Sequence, residues 1–266
     1  FQLAIEPSDA APAPQMLFCD NETNTQRLFG NLGFRADESR ESRVYWAAVR
    51  TDSELPGSLT RAQLDANPRQ AAAGNLALDQ KRDFDLFRLS TKNAWLASER
   101  SRFEWNAYGS QKHLDHPIFQ VIDQRSLDLG ADLRFERSGE FRGRAHRFLV
   151  GFAPALGTVD DRRFVNVGGR RGAATAKGDT DSTNLDLYAE ERVELRANWT
   201  LTAGFVASHA TRDFDDRFFT DGDQTDRQSF DGFSPKLGVI WQARPNLSVF
   251  ANVAQSFEPP SFGELV

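Results

Sequence analysis

The sequence of 266 residues has one cysteine, one methionine and no long apolar run. Its longest apolar run, near residues 148–153, is far shorter than the roughly 18 residues of a transmembrane helix, so a helical membrane protein is excluded. The net charge of −6 argues against a nucleic-acid partner, which needs a concentrated basic face. A β-barrel membrane protein remains open, because its strands alternate apolar and polar residues and average out as hydrophilic.

Cysteine usage and the two chain ends describe the context of the sequence. With Cys19 alone, a disulfide framework within these residues is excluded. Two interpretations of Cys19 stay open: a disulfide with a cysteine outside the sequence, and a free thiol in a loop. The chain starts at Phe1 without an initiator methionine or a signal peptide and stops soon after a Pro-Pro pair. We therefore expect a segment of a longer protein.

Period-two alternation is the dominant pattern that the sequence does contain. In residues 126–136 the apolar side chains Leu127, Leu129 and Leu133 alternate with charged ones such as Asp128 and Asp132. The same pattern recurs and predicts ten strands of about 9–14 residues, close to the roughly 9–11 residues of a tilted bilayer-spanning strand. The predicted strands lie near residues 28–36, 44–50, 87–95, 102–109, 126–136, 148–152, 184–196, 201–207, 233–241 and 247–253.

The connections between these strands alternate strictly between short and long. Short ones lie near residues 37–42, 98–101, 137–143, 197–199 and 244–246, and long ones near residues 51–82, 113–122, 154–181 and 213–230. Antiparallel strands with tight turns at one rim and long loops at the other are typical of an outer-membrane barrel. We therefore predict an all-β fold, an antiparallel up-and-down transmembrane β-barrel of which this chain supplies part.

The tryptophans and one helical segment add to this prediction. All five tryptophans lie in or within about four residues of a predicted short turn: Trp46, Trp95, Trp105, Trp199 and Trp241. Indole rings favour the membrane boundary, which indicates a periplasmic aromatic girdle, although tryptophan is also a common strand residue.

Residues 57–73 predict a short helix with Ser58 as N-cap, ending near Asn67-Pro68 inside the longest loop.

The last 35 or so residues carry a family resemblance. They contain Phe233-Ser234-Pro235-Lys236-Leu237-Gly238, the turn Arg244-Pro245-Asn246, and a strand ending in Ser256-Phe257-Glu258-Pro259-Pro260. These motifs resemble the mid-barrel signature of TonB-dependent outer-membrane receptors. Residues 113–128, with His116-Pro117-Ile118-Phe119-Gln120-Val121, and residues 59–71, with Asn67-Pro68-Arg69-Gln70-Ala71, are similar to the branch that includes ferric-citrate and siderophore receptors.

The resemblance implies a fold, a location and a function. The family barrel has about 22 strands around an N-terminal plug and imports scarce metal chelates with energy transmitted through TonB. Residues 1–266 would then be one partial barrel domain without the plug, its TonB box and the final strands. The implied partners are TonB, acting through the plug, a ferric chelate, and the lipid and lipopolysaccharide of a Gram-negative outer membrane. The implied protein is a transporter that has no enzymatic step and no cofactor besides the carried Fe(III) chelate.

The predicted loop at residues 154–181 is the main candidate for ligand contact. It contains Arg162, Arg163, Arg170 and Arg171. Because the planar guanidinium suits carboxylate oxygens, a basic loop at the outer vestibule would steer and hold an anionic chelate. Two alternatives remain open, an ordinary solvated loop and contact with lipopolysaccharide phosphates.

Other candidate sites are weaker. Six aspartates in residues 213–230 offer oxygen ligands for Ca²⁺, but their spacing fits no known calcium loop, and a solvated acidic loop is the alternative. His113 and His116 lack the cysteines of a metal site, so we expect them to be solvent-exposed. The glycine-rich residues 168–172 lack the strand-to-helix context of a phosphate loop. No catalytic motif is present.

Two further expectations concern structure. Charged residues on the polar face of the strands should form cross-strand pairs, and the prolines after Glu258 should end ladder pairing because they lack an N–H group. A passive porin, a secretion-type barrel and a soluble all-β binding domain remain alternative functions. The soluble domain would bury Leu129, Leu187 and Phe205 between two sheets.

Overall fold

A computed structural model of the chain describes residues 2–6 and 22–261. In this part of the chain, eleven strands form one antiparallel sheet in which each strand pairs with its sequence neighbours. The strands are β1 (Gln2–Glu6), β2 (Thr23–Asp37), β3 (Arg40–Ser53), β4 (Asp83–Ser98), β5 (Ser101–Pro117), β6 (Gln120–Phe141), β7 (Arg144–Val167), β8 (Arg170–Arg196), β9 (Trp199–Asp216), β10 (Asp226–Arg244) and β11 (Leu247–Ala254). Cys19 lies outside the described residues.

The predicted architecture is confirmed. Each of the ten predicted segments lies within one of the strands β2–β11, and the strand order in the sheet follows the chain. Strand β1 was not predicted. It pairs with β2 through the register Gln2↔Asn31 to Glu6↔Arg27.

Several strands are much longer than predicted. Strands β6, β7 and β8 have 22, 24 and 27 residues. The predicted long loops at residues 113–122 and 154–181 are therefore wrong, because two residues, 118–119 and 168–169, separate the paired strands there. The apolar pattern stops near Pro154, but backbone pairing does not require apolar side chains, and the ladder continues through pairs such as Asp160↔Asp179.

The two ends of the sheet differ, although less than predicted. At one end, tight turns at residues 38–39, 99–100, 142–143, 197–198 and 245–246 confirm the five predicted short connections. At the opposite end, which we call the outer end, the fully described connections are residues 54–82, 118–119, 168–169 and 217–225. Two of these four are thus extended hairpins and two are real loops.

The longest connection contains two short helices, α1 (Arg61–Ala66) and α2 (Ala73–Ala77). The predicted N-cap Ser58 is wrong. Thr60 caps α1 because its hydroxyl accepts a hydrogen bond from the Gln63 N–H, while the Thr60 N–H donates to Gln63 Oε1. The predicted end near Asn67 is confirmed, and α2 was not predicted. In the described residues, no helix is long and apolar enough to cross a membrane.

The sheet has one apolar and one polar face. Directly opposed residues share a face, and one row across β6–β10 contains apolar side chains throughout: Leu133, Phe152, Leu187, Ala207 and Phe233. The apolar face is not covered by other residues, since Leu129 and Leu187 on this face are 46% and 47% exposed. Within the described residues there is one sheet layer, so the two-sheet alternative is wrong.

Aromatic rings cluster on the apolar face near the tight-turn end. Phe103 lies 5.5 Å from Trp95 and 4.7 Å from Phe135 between ring centroids, and Trp199 stacks on Trp241 at 5.6 Å. Trp46 departs from the predicted girdle. Because the first turn is residues 38–39, Trp46 lies well inside β3, where its ring covers Gly30.

The polar face has the predicted cross-strand ion pairs. Glu104 on β5 contacts Arg134 on β6 at 3.8 Å, and Glu136 contacts both Arg134 at 3.2 Å and Arg147 on β7 at 2.6 Å. Further along the same face, Lys236 pairs with Glu190. The Glu104–Arg134 and Glu136–Arg147 pairs join neighbouring strands, as the sequence predicted, and the Lys236–Glu190 pair spans β9 over Gly204.

Candidate ligand-binding site

Asn166 holds the outer end of the sheet together. Its side chain is 8% exposed and bonds three separate parts of the chain: Nδ2 donates to the carbonyls of Leu78 at 2.8 Å and Ile118 at 2.6 Å, and Oδ1 accepts from the Gly169 N–H at 2.7 Å. The connection 54–82 is thereby fixed to the tips of the β5–β6 and β7–β8 hairpins. These three bonds hold the connection and the two hairpin tips in fixed positions relative to one another.

The four arginines that the sequence placed in one loop lie on paired strands and do not form one patch. Arg162 is opposite Asp123 on β6, in the row that continues the apolar face, and Arg163 is opposite Ile122, on the polar face. Consecutive arginines therefore point to opposite sides of the sheet.

Arg162 is engaged by its own strand. Its Nε and Nη2 donate to the Asp160 carboxylate at 3.0 and 2.6 Å. This bidentate contact from Arg162 holds the pKa of Asp160 below its ordinary value. The pair lies on the outward side and does not contribute to a polar-face site.

Arg170 and Arg171 begin β8 at the hairpin tip. Arg171 donates to Asp123 at 2.8 Å, lies 3.8 Å from Asp115, and places its guanidinium 5.6 Å from the centroid of the Phe164 ring. Arg170 is exposed, and no ion pair with it occurs in the described part of the chain. Three of the four predicted arginines are thus held by carboxylates.

Arg163 borders a cavity on the polar face at the outer end. The cavity has a volume of about 550 Å³ and lies over strands β6–β9 against the connection 217–225. Arg163 donates to Asp161 at 2.9 Å, and its side chain remains 43% exposed. The lining also includes Gln124, Val159, Lys177, Thr180, Phe214, Asp216, Phe218, Asp221 and Gln224. The lining thus combines two cations, three carboxylates, two amides and two phenyl rings. The cations and amides suit a ligand with anionic oxygens, and the rings suit its flat apolar parts.

Asp216 forms one wall of this cavity by ordering the connection that follows it. The buried carboxylate accepts from the N–H groups of Phe218 at 2.8 Å and Gln224 at 3.0 Å. Other aspartates of residues 213–230 also have partners, such as Arg217 for Asp215 at 2.8 Å. In the described residues no three acidic, histidine or cysteine side chains converge as metal ligands.

The two histidines of the β5–β6 hairpin support the rim. His113 Nε2 lies 2.8 Å from Asp123 Oδ1, and His116 Nδ1 lies 2.6 Å from the Lys81 carbonyl. Both histidines are partly exposed, the His113 side chain by 42%, and both are also hydrogen-bonded to neighbouring elements. The roles of Asn166 and Asp216 were not predicted from the sequence. For Asp216, a local Asx-turn pattern is the sequence signal that indicates its role.

The motif Ser256-Phe257-Glu258-Pro259-Pro260 follows β11 and makes no ladder pairs, as its prolines predicted. Phe257 covers Gly232 on the polar face, and its N–H donates to Ser234 Oγ at 3.0 Å. Pro260 accepts a bond from Arg212 at 3.2 Å through its carbonyl. Ser256 and Glu258 are exposed.

An up-and-down antiparallel sheet with an uncovered apolar face, a charged opposite face and tall hairpins at one end is typical of the wall of an outer-membrane β-barrel. A family model described as TonB dependent receptor-like, beta-barrel, matches residues 18–266. The chain belongs to this family of receptor barrels, and the predicted family is confirmed.

Solved structures share this fold. The unliganded ferric citrate transporter FecA superposes with a TM-score of 0.77 at 15% identity, covering 88% of this chain and 36% of that one. The open form of the ferric-catecholate import receptor Fiu from E. coli K12 gives 0.70 at 11%, covering 91% and 48%. The ferric yersiniabactin uptake receptor FyuA from Yersinia pestis gives 0.66 at 12%, covering 86% and 37%.

The chain spans between about a third and a half of the length of these receptors. At such low identity the superpositions establish the fold alone. A comparison with curated proteins gave no match by sequence.

Proposed function

We propose that this chain is part of an outer-membrane receptor that binds an anionic ferric chelate and imports it into the periplasm with energy from TonB. Family membership supports the receptor class, and the solved receptors of similar fold are named for ferric citrate, a ferric catecholate and ferric yersiniabactin. The observation that carries the proposal is the cavity beside Arg163.

The proposed orientation follows from the two faces. The apolar face contacts lipid, the polar face lines the lumen, and the tight-turn end with its aromatic rings lies at the periplasmic boundary. The outer hairpins then extend beyond the bilayer towards lipopolysaccharide, and the cavity opens to the extracellular side of the lumen.

Arg163 is suited to hold an anionic chelate. Asp161 fixes the guanidinium from one side at 2.9 Å, so its orientation is set before a ligand arrives. A guanidinium has five N–H donors. Nε and Nη2 of Arg163 both lie 2.9 Å from Asp161 Oδ2, which leaves the donors of Nη1 for carboxylate or catecholate oxygens. Phe214 and Phe218 supply apolar contacts to the carbon frame of the chelate.

The test compares Arg163→Gln with the matched control Arg162→Gln in the complete receptor that contains this chain. Ferric citrate and a ferric tris-catecholate serve as probes, with equilibrium binding measured on outer membranes. We expect Arg163→Gln to raise the Kd of the preferred probe at least tenfold, or about 1.4 kcal/mol. Arg162→Gln should stay within twofold, because that side chain lies on the opposite side of the sheet.

Equal Kd values for the two variants would contradict the cavity as the binding site. Uptake measured after collapse of the proton-motive force tests the transport part of the proposal. A TonB-dependent receptor stops importing under these conditions, whereas a passive porin continues, so continued uptake would overturn the proposed function.

A further inference from the structure

Residues 255–260, which we call the strap, leave the sheet and cross its polar face. β11 ends at Ala254, and the Gln255 N–H donates to the Pro235 carbonyl at 3.0 Å as the chain turns away. The next backbone contact is Phe257 N–H to Ser234 Oγ at 3.0 Å. Pro259 and Pro260 have no N–H group, so this part of the strap cannot join a ladder. The strap is therefore attached to the sheet through few contacts.

Phe257 seats the middle of the strap. Its ring lies on Gly232 so closely that a Cβ at this position would overlap the ring. The polar face thus has a depression at Gly232 that the ring fills. Glu258 follows Phe257 and precedes a proline, which favours extended backbone at this position. Glu258 is exposed and makes no ion pair within the described part of the chain.

Arg212 fixes the far end of the strap. Its side chain on β9 is 8% exposed, and Nε donates to the Pro260 carbonyl at 3.2 Å. The other nitrogens bind the sheet: Nη1 donates to the carbonyls of Thr211 at 2.8 Å and Thr183 at 3.3 Å, and Nη2 donates to Asn184 Oδ1 at 3.0 Å. No carboxylate pairs with this guanidinium among the described residues.

The bonds of Arg212 are distributed unequally between its two sides. Three of them hold the guanidinium to β8 and β9, and one holds the strap. Breaking that one bond leaves Arg212 in place with its charge still bound by neutral oxygens. The strap side is accordingly the weaker side of the contact.

From these observations we infer that residues 255–260 form a releasable strap on the polar face, latched by Arg212. In the latched position the strap covers Ser234 and Gly232 and presents Glu258 to the space in front of the sheet. On release it detaches between Gln255 and Pro260 and uncovers this part of the wall. Arg212 is a positioning residue in this device.

The test is thiol accessibility in the complete receptor, with Cys19→Ser and any other cysteine replaced. A reporter cysteine at Ser234→Cys lies under the strap, and a second at Glu258→Cys lies on its free side. With Arg212 intact, we expect a charged maleimide to label Glu258→Cys at least tenfold faster than Ser234→Cys. Adding Arg212→Gln should raise the labelling rate of Ser234→Cys at least fivefold.

Lys236→Gln is the matched control. It removes the neighbouring ion pair with Glu190 without touching the strap, and should leave both labelling rates within twofold. Barrel folding is checked for every variant by heat-modifiable gel mobility. If Arg212→Gln does not fold, Arg212→Lys provides the same test, because lysine keeps the charge but cannot reach all four acceptors.

Equal labelling rates of Ser234→Cys and Glu258→Cys in the protein that retains Arg212 would contradict the proposed strap. An unchanged Ser234→Cys rate in Arg212→Gln or Arg212→Lys would overturn the latch. Neither measurement uses a chelate, so failure of the proposed ligand binding and failure of the strap are distinguishable.

Discussion

At the scale of single residues, neighbours in the sequence have different roles because strand geometry separates them. Arg162 and Arg163 differ by one position, yet Arg162 binds Asp160 on the outward side and Arg163 binds Asp161 beside the cavity. The sequence placed both in a loop, where no alternation applies. The side of the sheet on which each arginine lies depends on β7 continuing through both residues.

The Asp160–Arg162 pair predicts a pH dependence for the β7–β8 hairpin. Because Arg162 lowers the pKa of Asp160 in the folded protein, the pair contributes stability above the ordinary value of 3.8 and loses it as the pH falls through the lowered folded value. We expect Asp160→Asn to speed amide hydrogen exchange in residues 158–180 at pH 6. The difference from the unmodified protein should shrink as the pH is lowered below 3.8, after correction for intrinsic rates. A difference that keeps its size down to acidic pH would contradict this role.

Some residue roles had no usable signal in the sequence. Asn166 acts through the carbonyls of Leu78 and Ile118, which are 88 and 48 positions away, so its function depends on which hairpins become neighbours. Asp216 is different. Its carboxylate accepts a bond from the Phe218 N–H two residues later, which forms an Asx turn. Because this turn involves only neighbouring residues, it is recognisable from sequence.

At the scale of elements, the largest error concerned the β7–β8 hairpin. Gly168 and Gly169 have φ values of +58° and +81°, as a two-residue hairpin turn with positive φ at both positions requires. A Gly-Gly pair is a hairpin signal, but it lies far beyond the last apolar alternation, so the sequence pattern predicted a long loop there. Apolar periodicity reports where a strand contacts lipid and does not report where pairing ends.

Substitutions in this turn should differ in a defined way. We expect Gly169→Ala to destabilise the hairpin by at least about 1–2 kcal/mol, because the left-handed conformation is strained for alanine and the new Cβ would overlap Asp79. Gly168→Asn is the matched control. This position is open apart from the Ala77 carbonyl at 3.9 Å, and asparagine tolerates positive φ, so little change is expected.

The measurement is urea unfolding of the folded receptor in lipid vesicles, together with protease cleavage near residues 165–172. Gly169→Ala should increase cleavage at the tip, while Gly168→Asn should match the unmodified protein. Equal behaviour of the two variants would show that the Asp79 contact and the backbone conformation do not control the tip.

At the scale of the whole molecule, the fold was predictable because one physical requirement applies to ten strands at once. A strand that crosses lipid must present an apolar residue at every second position, and this leaves the same pattern in each of β2–β11. The candidate site was less predictable. It combines side chains from strands β6–β9 with the connection 217–225, and no local pattern specifies that combination.

Arginine substitutions on the two faces should change the free energy of unfolding by different amounts. Leu187→Arg places a charge on the apolar face and should cost about 2–4 kcal/mol at mid-bilayer depth. Asp186→Arg changes the neighbouring residue on the polar face, where the charge meets water or polar groups, and should remain within about 1 kcal/mol. Urea unfolding in vesicles measures both. If Asp186→Arg proved the more damaging change, the assignment of the lipid-facing side would be reversed.

The length of the outer hairpins limits how the receptor entrance is able to deform. β8 extends about 90 Å at roughly 3.3 Å per residue and is ladder-paired along nearly its whole length, so it behaves as a stiff post. Both of the longer described connections at this end are tethered, residues 54–82 by Asn166 and residues 217–225 by the bonds of Asp216 to the N–H groups of Phe218 and Gln224. A ligand that enters the cavity beside Arg163 would therefore meet a wall that is already set, and its binding would not carry the entropic cost of ordering a loop.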